Sequence, residues 1–550
     1  MSGDFRNSSA AEWWKRSVIY QIYPRSFQDS DGDGIGDLRG IVERLPYLQW
    51  LGVDALWLSP IYPSPMADFG YDVADYCDVD PIFGTLAHFD DLVARAHDLS
   101  LKVILDFVPN HTSDQHPWFL DSRKSRSSSR RNWYIWADPT PDGGPPNNWL
   151  SNFGGSAWTF DGTTKQYYYH AFLDSQPDLN WRNRDVRDAM YKALRFWLDR
   201  GVDGFRVDVM WHLIKDAELR DNPPNPAYVE GRPEIERFLQ VHSADQPEVH
   251  QVVEEMRRVV DDYPDRVLIG EIYLPLERLM AYYGKDLSGA QLPFNFQMIF
   301  ASWNARSLTA MIRDYEAALP PGGWPNWVLG NHDQHRLASR LGKDQARLAA
   351  MLLLTLRGTP TLYYGEEIGM TDVAVPHESV RDPWELREPG LGLGRDPERT
   401  PMQWDKGAGG GFTAGNPWLP LSPDYQVCNV SAQESDQNSF LTLYRELIIL
   451  RRRWTALCLG GFKFLGDFPD RIAYERFDDT ARFQIFLNLS LSNIPQPLEA
   501  PARRGHILLS TLGDHDIGIN ERIDNGCLLL RAGEGVMLCL DSDTVEGGSD

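Results

Sequence analysis

The chain has 550 residues, 42% hydrophobic and 12% aromatic, enough for a folded protein with a large core and more than one domain. A formal net charge of −24 argues against nucleic acid and anionic membrane surfaces as partners. Cys77, Cys428, Cys458, Cys527 and Cys539 are scattered without metal-binding spacing, the N-terminus lacks an apolar signal segment, and no apolar run is long enough to span a bilayer, which together predict a reduced, cytoplasmic protein.

The first element is "VIYQIYP", β-branched and aromatic like a strand. It runs into "DSDGDGIGD", in which Asp29, Asp31, Asp33, Gly34 and Asp37 fit positions 1, 3, 5, 6 and 9 of an EF-hand loop, with the Ile35 carbonyl at position 7. Gly40 stands where the closing glutamate belongs, and a strand precedes the loop where an EF-hand has a helix. Aspartates crowded this closely repel one another unless something neutralises them. The loop therefore predicts a hard-cation site, Ca²⁺ or Mg²⁺, ligated by Asp29, Asp31, Asp33, Asp37 and the carbonyl of Ile35.

The helical "GDLRGIVERLPYLQWLG" follows, then the strand "VDALWLSP", the helix "HFDDLVARAHDLS" and the strand "LKVILDFV". Five further strands are predicted at "GVDGFRVDV", "RVLIGEIY", "LPFNFQM", "NWVLGNHD" and "GTPTLYYGEE", most of them separated by helical stretches. Such alternation predicts a parallel sheet, and eight units favour an α/β fold closed into a (β/α)8 TIM barrel. Two regions break the pattern. Residues 110–178, rich in Trp, Asn, Gly and Pro, read as an irregular insertion after the third strand, with "RKSRSSSRR" expected as a solvated loop. Residues 462–550 lose the helical period; "RIAYERF", "ARFQIFLNLS", "HILLSTL" and "CLLLRAGEGVMLCL" predict a C-terminal antiparallel β-sandwich domain, with the final "TVEGGSD" disordered. The barrel then comprises 1–109 and 179–461.

Chemistry-bearing residues gather at the C-terminal ends of the strands, the rim on which barrels build their sites. "GFRVDV" holds Arg206 and Asp208 two apart, hence on one strand face, where the guanidinium is expected to keep the carboxylate ionised as a nucleophile needs. A structural ion pair is the equal alternative for that pair taken alone. "LIGEIY" ends an apolar strand in Glu271, whose burial should raise its pKa toward that of a general acid. "LGNHD" adds His332 and Asp333, and "DFVPNHTS" adds Asp106, Asn110 and His111. Any one of these could be a satisfied strand-end polar group; several converging on one rim point to a site.

With these motifs in order, the sequence resembles the α-amylase superfamily, in its α-glucosidase and oligo-1,6-glucosidase branch. The branch markers are "QIYPRSFQDSDGDGIGDLRGI", "DFGYDV", "FLDSQPDLNW", "YYGEEIGM" and "RTPMQW", spread over residues 14–405. The resemblance implies a retaining, exo-acting α-glucosidase with Asp208 as nucleophile, Glu271 as acid/base and Asp333 as a third carboxylate gripping the sugar hydroxyls. It implies that His111 and His332 bind the same sugar and that Arg206 orients the nucleophile. Asp68, Tyr71 and Arg399 would close the far end of the pocket, with Asp68 meeting Arg399, and Phe153, Phe172 and Gln176 would line its wall. The metal would be structural, away from the chemistry. Partners would be short oligosaccharides or α-glucosides, for a monomer or homodimer.

A non-catalytic sugar-binding relative would lack these carboxylates. A sucrose isomerase would carry an arginine-rich segment where this chain has "HDQHRLASRLG", and a dedicated glucosyltransferase stays open, since hydrolysis and transfer differ only in the acceptor. For linkage the signals oppose each other. Val209 after the nucleophile leans to α-1,6 bonds by resemblance, whereas the Pro-rich "RDNPPNPAYVEG" is expected to crowd the leaving-group side and favour α-1,4 substrates of the maltose type.

Overall fold

The computed structural model describes residues 12–499, 505–513, 523–524 and 526–540; the terminal "TVEGGSD" lies outside them. Eight parallel strands form one sheet: β1 (Ile19–Ile22), β2 (Ala55–Leu58), β3 (Lys102–Phe107), β4 (Gly204–Val207), β5 (Val267–Gly270), β6 (Leu292–Pro293), β7 (Asn326–Val328) and β8 (Thr359–Tyr363). The order is β7-β8-β1-β2-β3-β4-β5-β6, and a parallel bridge from Asn295 to Trp327 brings the two ends together into a nearly closed TIM barrel. All eight strands are where the alternation predicts them. They read as unbroken apolar runs because both faces are covered.

The two faces differ. Ile19, Ala55, Trp57, Ile104, Val267, Ile269, Leu292 and Val328 pack inside the barrel, while the alternate residues pack against the outer helices. Period-two alternation then sends Gln21, Asp106 and Arg206 inward beside Ile19, Ile104 and Gly204. The polar top layer of the barrel is thus written into the strands that build its apolar floor.

Helices α1 (Leu38–Leu51), α2 (Leu86–Asp98), α3 (Arg184–Asp199), α4 (Val249–Asp261), α5 (Ala305–Ala318) and α6 (Lys343–Thr355) make the outer layer. Asp37, the last residue of the acidic loop, is the N-cap of α1 and accepts from the Gly40 N–H at 2.8 Å.

Between β3 and β4 the chain builds a small antiparallel sheet (Trp136–Ala137, Trp158–Asp161, Gln166–Tyr169) over a Trp149, Trp158 and Tyr169 core. The basic run does not behave uniformly as a solvated loop. Arg131 is buried, its guanidinium 3.4 Å from the Trp136 ring centroid, and it donates to the Ser122 carbonyl and Gln166. At the C-terminus a five-stranded sheet (Gly461–Phe464, Arg471–Phe477, Arg482–Asn488, Gly535–Leu540, His506–Ser510) faces a three-stranded one (Ile494–Pro497, Cys527–Leu530, Ile523–Asp524). Buried Arg476 ties this region to the barrel by donating to the Thr355 carbonyl at the end of α6, at 2.6 Å. Among the described residues no helix is long and apolar enough to cross a membrane, and no disulfide joins the cysteines.

Candidate active site

A cavity of about 760 Å³ opens at the C-terminal rim of the barrel. Asp208, Glu271 and Asp333 line it together with Asp68, Tyr71, His111, Phe153, Phe172 and His332. Three residues expected at the site, Arg206, Gln176 and Arg399, do not line it; they stand behind those that do and set their positions.

Arg206 is fully buried on β4 and is shared by three carboxylates. Its Nη1 donates to Asp106 Oδ1 and to Asp208 Oδ1, both at 2.7 Å, and its Nη2 lies 2.8 Å from Glu271 Oε2. The expectation that Arg206 keeps Asp208 ionised is therefore incomplete. Burial and the neighbouring Glu271 outweigh the guanidinium and raise the Asp208 pKa well above the usual carboxylate range. Burial, with the Asp333 charge, likewise raises Glu271, as its strand-end position predicts. One cation cannot compensate three buried carboxylates, so Asp208 and Glu271 titrate as a pair that holds on to a proton.

The backbone contributes at the same point. Val209 adopts φ 35°, a left-handed conformation that a β-branched residue rarely takes. The turn aims its N–H at Glu271 Oε2, 2.8 Å away. Strain next to Asp208 thus fixes one carboxylate on the peptide that follows the other.

Asp333 has the opposite surroundings. It meets Arg399 Nη2 at 2.8 Å and Arg395 Nη1 at 3.2 Å. Burial would raise its pKa, but the positive charge around it, these two guanidiniums included, more than offsets that and holds it below the usual range. His332 is buried and its pKa driven well below 6.5, so it stays neutral. Its two ring nitrogens lie 2.8 Å from Gln21 Nε2 and 2.6 Å from the Tyr71 hydroxyl, which donates to Asp106 Oδ2 at 3.0 Å. Tyr71 and His332 stack at 5.2 Å with planes 4° apart.

Asp68 is paired with a residue other than the expected Arg399. Asp68 accepts from Arg395 Nη2 at 2.7 Å and from Gln176 Nε2 at 3.1 Å, while Arg399 is drawn instead to Asp333 and the His332 carbonyl. Arg395 and Arg399 flank a single 3₁₀ turn, Asp396–Glu398, which spaces them to share Asp333. Arg395 also donates to buried Asp382 at 2.7 Å. His111, 3.2 Å from Gln176, is neutral because burial pushes its pKa down to about 4. Phe153 and Phe172 pack at 5.8 Å, and Trp384 extends that wall at 5.6 Å from Phe153.

Arg395, Gln21, Trp384 and Asp382 escaped the sequence reading. Gln21 carried a signal, a polar residue at an inward position of an apolar strand. Arg395 carried another, a second arginine one turn before the "RTPMQW" motif. The Pro-rich run is also displaced: none of residues 220–231 lines the cavity. Their continuation does, through Pro233, Glu236, Leu239, Gln240 and Val241, and the run props it by pairing Pro224 with Phe238 and accepting the Leu239 N–H at Pro223.

In the acidic loop, Asp29, Asp31 and Asp37 bring carboxylate oxygens within 4.8 Å of one another. Asp33 is outside that group and exposed, its Oδ1 accepting from the Ile35 N–H at 2.7 Å, so this grouping is narrower than the five predicted ligands. Asp29 is buried and accepts from Asp31, Gly32 and Gly34 N–H groups and from Thr413. Gly34 is obligatory, since its φ is 94° and a Cβ there would sit 1.8 Å from the Asn416 carbonyl.

Residues 21–460 match the family described as "Alpha amylase, catalytic domain". The chain is 41% identical over 527 residues to a probable alpha-glucosidase of Rhizobium meliloti, covering 92% of this chain and 95% of that one. It is 39% identical to an oligo-1,6-glucosidase of Halalkalibacterium halodurans, covering 92% and 96%. Among solved structures, an alpha-glucosyl transfer enzyme superimposes with a TM-score of 0.91 at 39% identity, covering 97% of this chain and all of that one. The barrel, its carboxylate-lined rim and these likenesses make one conclusion: the chain belongs to the α-amylase family of glycoside hydrolases and is an enzyme of the α-glucosidase type, acting on α-glucosides.

Proposed function

We propose that the enzyme is a retaining, exo-acting α-glucosidase that releases terminal glucose from short α-glucosides, α-1,4 bonds of the maltose type being preferred. The observation that supports the exo reading is the ion pair between Asp68 and Arg395 in the cavity lining, which would bar a polymer from running on beyond the terminal sugar.

In this reading the shared proton rests on Glu271 in the productive form. Asp208 attacks the anomeric carbon as the bond to the leaving oxygen breaks, and Glu271 gives that oxygen its proton. Glu271, now a carboxylate, deprotonates a water that attacks the same carbon, and the Asp208 ester is released with the original anomeric configuration. Asp333, held ionised by two arginines, accepts hydrogen bonds from sugar hydroxyls and stabilises the oxocarbenium-like transition state. A sugar hydroxyl replacing water gives transglucosylation.

The α-1,4 preference rests on the propped 233–241 segment, which lines the cavity and would crowd the leaving-group side; Val209 on the cavity wall favours α-1,6 instead. The ratio of kcat/KM for maltose to that for isomaltose decides between them: above one is expected, below one overturns the linkage. Rapid internal cleavage of starch would overturn the closed end.

Asp29, Asp31 and Asp37 would hold a Ca²⁺ or Mg²⁺ ion, and their clustered, partly buried oxygens fit a hard cation. Bound there, it would neutralise the loop and clamp it to the 412–418 segment, remote from the chemistry.

A further inference from the structure

A second group of metal-ligating side chains lies just outside the cavity. His335, Asp372 and Glu398 place one ligand atom each within 4.8 Å of the others. His335 Nδ1 is 2.9 Å from Asp372 Oδ2 and 3.8 Å from Glu398 Oε2. Zinc bonds to nitrogen and oxygen are ~2.0–2.2 Å, which sets the edges of a tetrahedral site at roughly 3.3–3.5 Å. The two distances straddle that range, so small side-chain rotations would bring all three atoms onto one ion.

Glu398 supplies the independent observation. Its side chain is 2% exposed, yet Oε2, the oxygen facing His335, accepts no hydrogen bond. A buried carboxylate oxygen without a partner is costly unless something occupies the place in front of it. His335 is half-exposed, leaving a solvent-facing position for water as a fourth ligand. The donor set, one imidazole and two carboxylates, suits a borderline ion such as Zn²⁺ better than the all-oxygen acidic loop does.

The geometry points to a zinc-type divalent cation site formed by His335, Asp372 and Glu398. It joins three segments around the active site. His335 lies two residues beyond Asp333, Asp372 follows β8, and Glu398 adjoins Arg399, which holds Asp333. An ion there would brace the arginine-bearing turn against the loop that carries Asp333.

The test is zinc binding by the full chain after stripping with chelator, measured in excess Ca²⁺ so that the acidic loop is not counted. About one more equivalent of Zn²⁺ is expected on the parent than on His335→Ala or Asp372→Asn, with Asp31→Ala behaving like the parent. Equal zinc on parent and His335→Ala, or none on the parent, overturns the site. Cobalt substitution of the unmutated protein gives a readout that needs no variant to fold. The visible absorption of four-coordinate Co²⁺ is expected, and its absence rejects this coordination.

Discussion

Two clusters of the same residue types share one cavity and reach opposite charge states. Around Arg206, three carboxylates compete for one guanidinium, and the pKa values of Asp106, Asp208 and Glu271 are all raised, by burial first. Around Asp333, two guanidiniums serve one carboxylate, and its pKa falls despite burial. The ratio of carboxylates to arginines, more than burial itself, decides which side of the pocket keeps a proton to donate and which keeps a charge to hold the sugar.

The largest difference between the two clusters is expected in activity. Asp208→Asn removes the attacking oxygen's charge at nearly constant shape, and kcat should fall by about 10⁴-fold or more with the fold intact. A variant keeping a tenth of parental turnover would dismiss Asp208 as nucleophile. Glu271→Gln should cost about 10²- to 10⁴-fold on maltose but far less on aryl glucosides, whose leaving groups need no proton. Equal losses on both substrates would move the acid elsewhere.

Arg395→Ala attacks the two-arginine side. It strips Asp68, Asp333 and Asp382 of a shared partner, and breaking such a buried pair typically costs about 3–5 kcal/mol. Lost stability together with a raised KM for maltose is expected, checked by denaturant melts and steady-state kinetics. An unchanged KM would show that the closed end does not grip the sugar.

Stability against pH sharpens the contrast, because the two clusters carry opposite signs. Asp333 titrates below its unfolded value of about 4, so its contribution is present above that pH and is lost as pH falls through the folded pKa. Asp208 and Glu271 titrate above their unfolded values, so they oppose folding increasingly as pH rises from about 4 through their folded pKa values. At neutral pH, Asp208→Asn should therefore raise Tm by roughly 1–3 °C while Asp333→Asn lowers it. The same sign for both variants would refute the division of protons drawn here.

The smallest effect lies farthest from the cavity. Chelation, or Asp31→Ala, should lower Tm by a few degrees through loss of an ion bound only by the folded state, with little change in kcat of the folded enzyme. Abolished activity at unchanged Tm would rule out a structural clamp.

Much of this was legible in the chain. The eight barrel strands were, because parallel strands covered on both faces show as short apolar runs between amphipathic helices. So were the carboxylates, because a polar residue ending such a run must face the rim. The Asp68–Arg395 pair was not: its partners are 327 residues apart, and a four-residue shift along one turn decides whether Arg395 or Arg399 reaches the carboxylate. Nor was the role of the Pro-rich run, whose stiffness was evident but whose position as a prop behind 233–241, and not as the wall itself, depends on pairing with Phe238.

By itself, then, the sequence determined the barrel, the order of its strand-end motifs and the chemical types gathered at its rim, since these follow from local periodicity and from which residue ends each strand. Only the tertiary structure decided how charge and protons divide among those residues. A carboxylate's pKa is set by through-space neighbours from many strands and by the water they exclude, and Arg206 lies two residues from Asp208 in the chain yet is spent equally on Asp106 and Glu271.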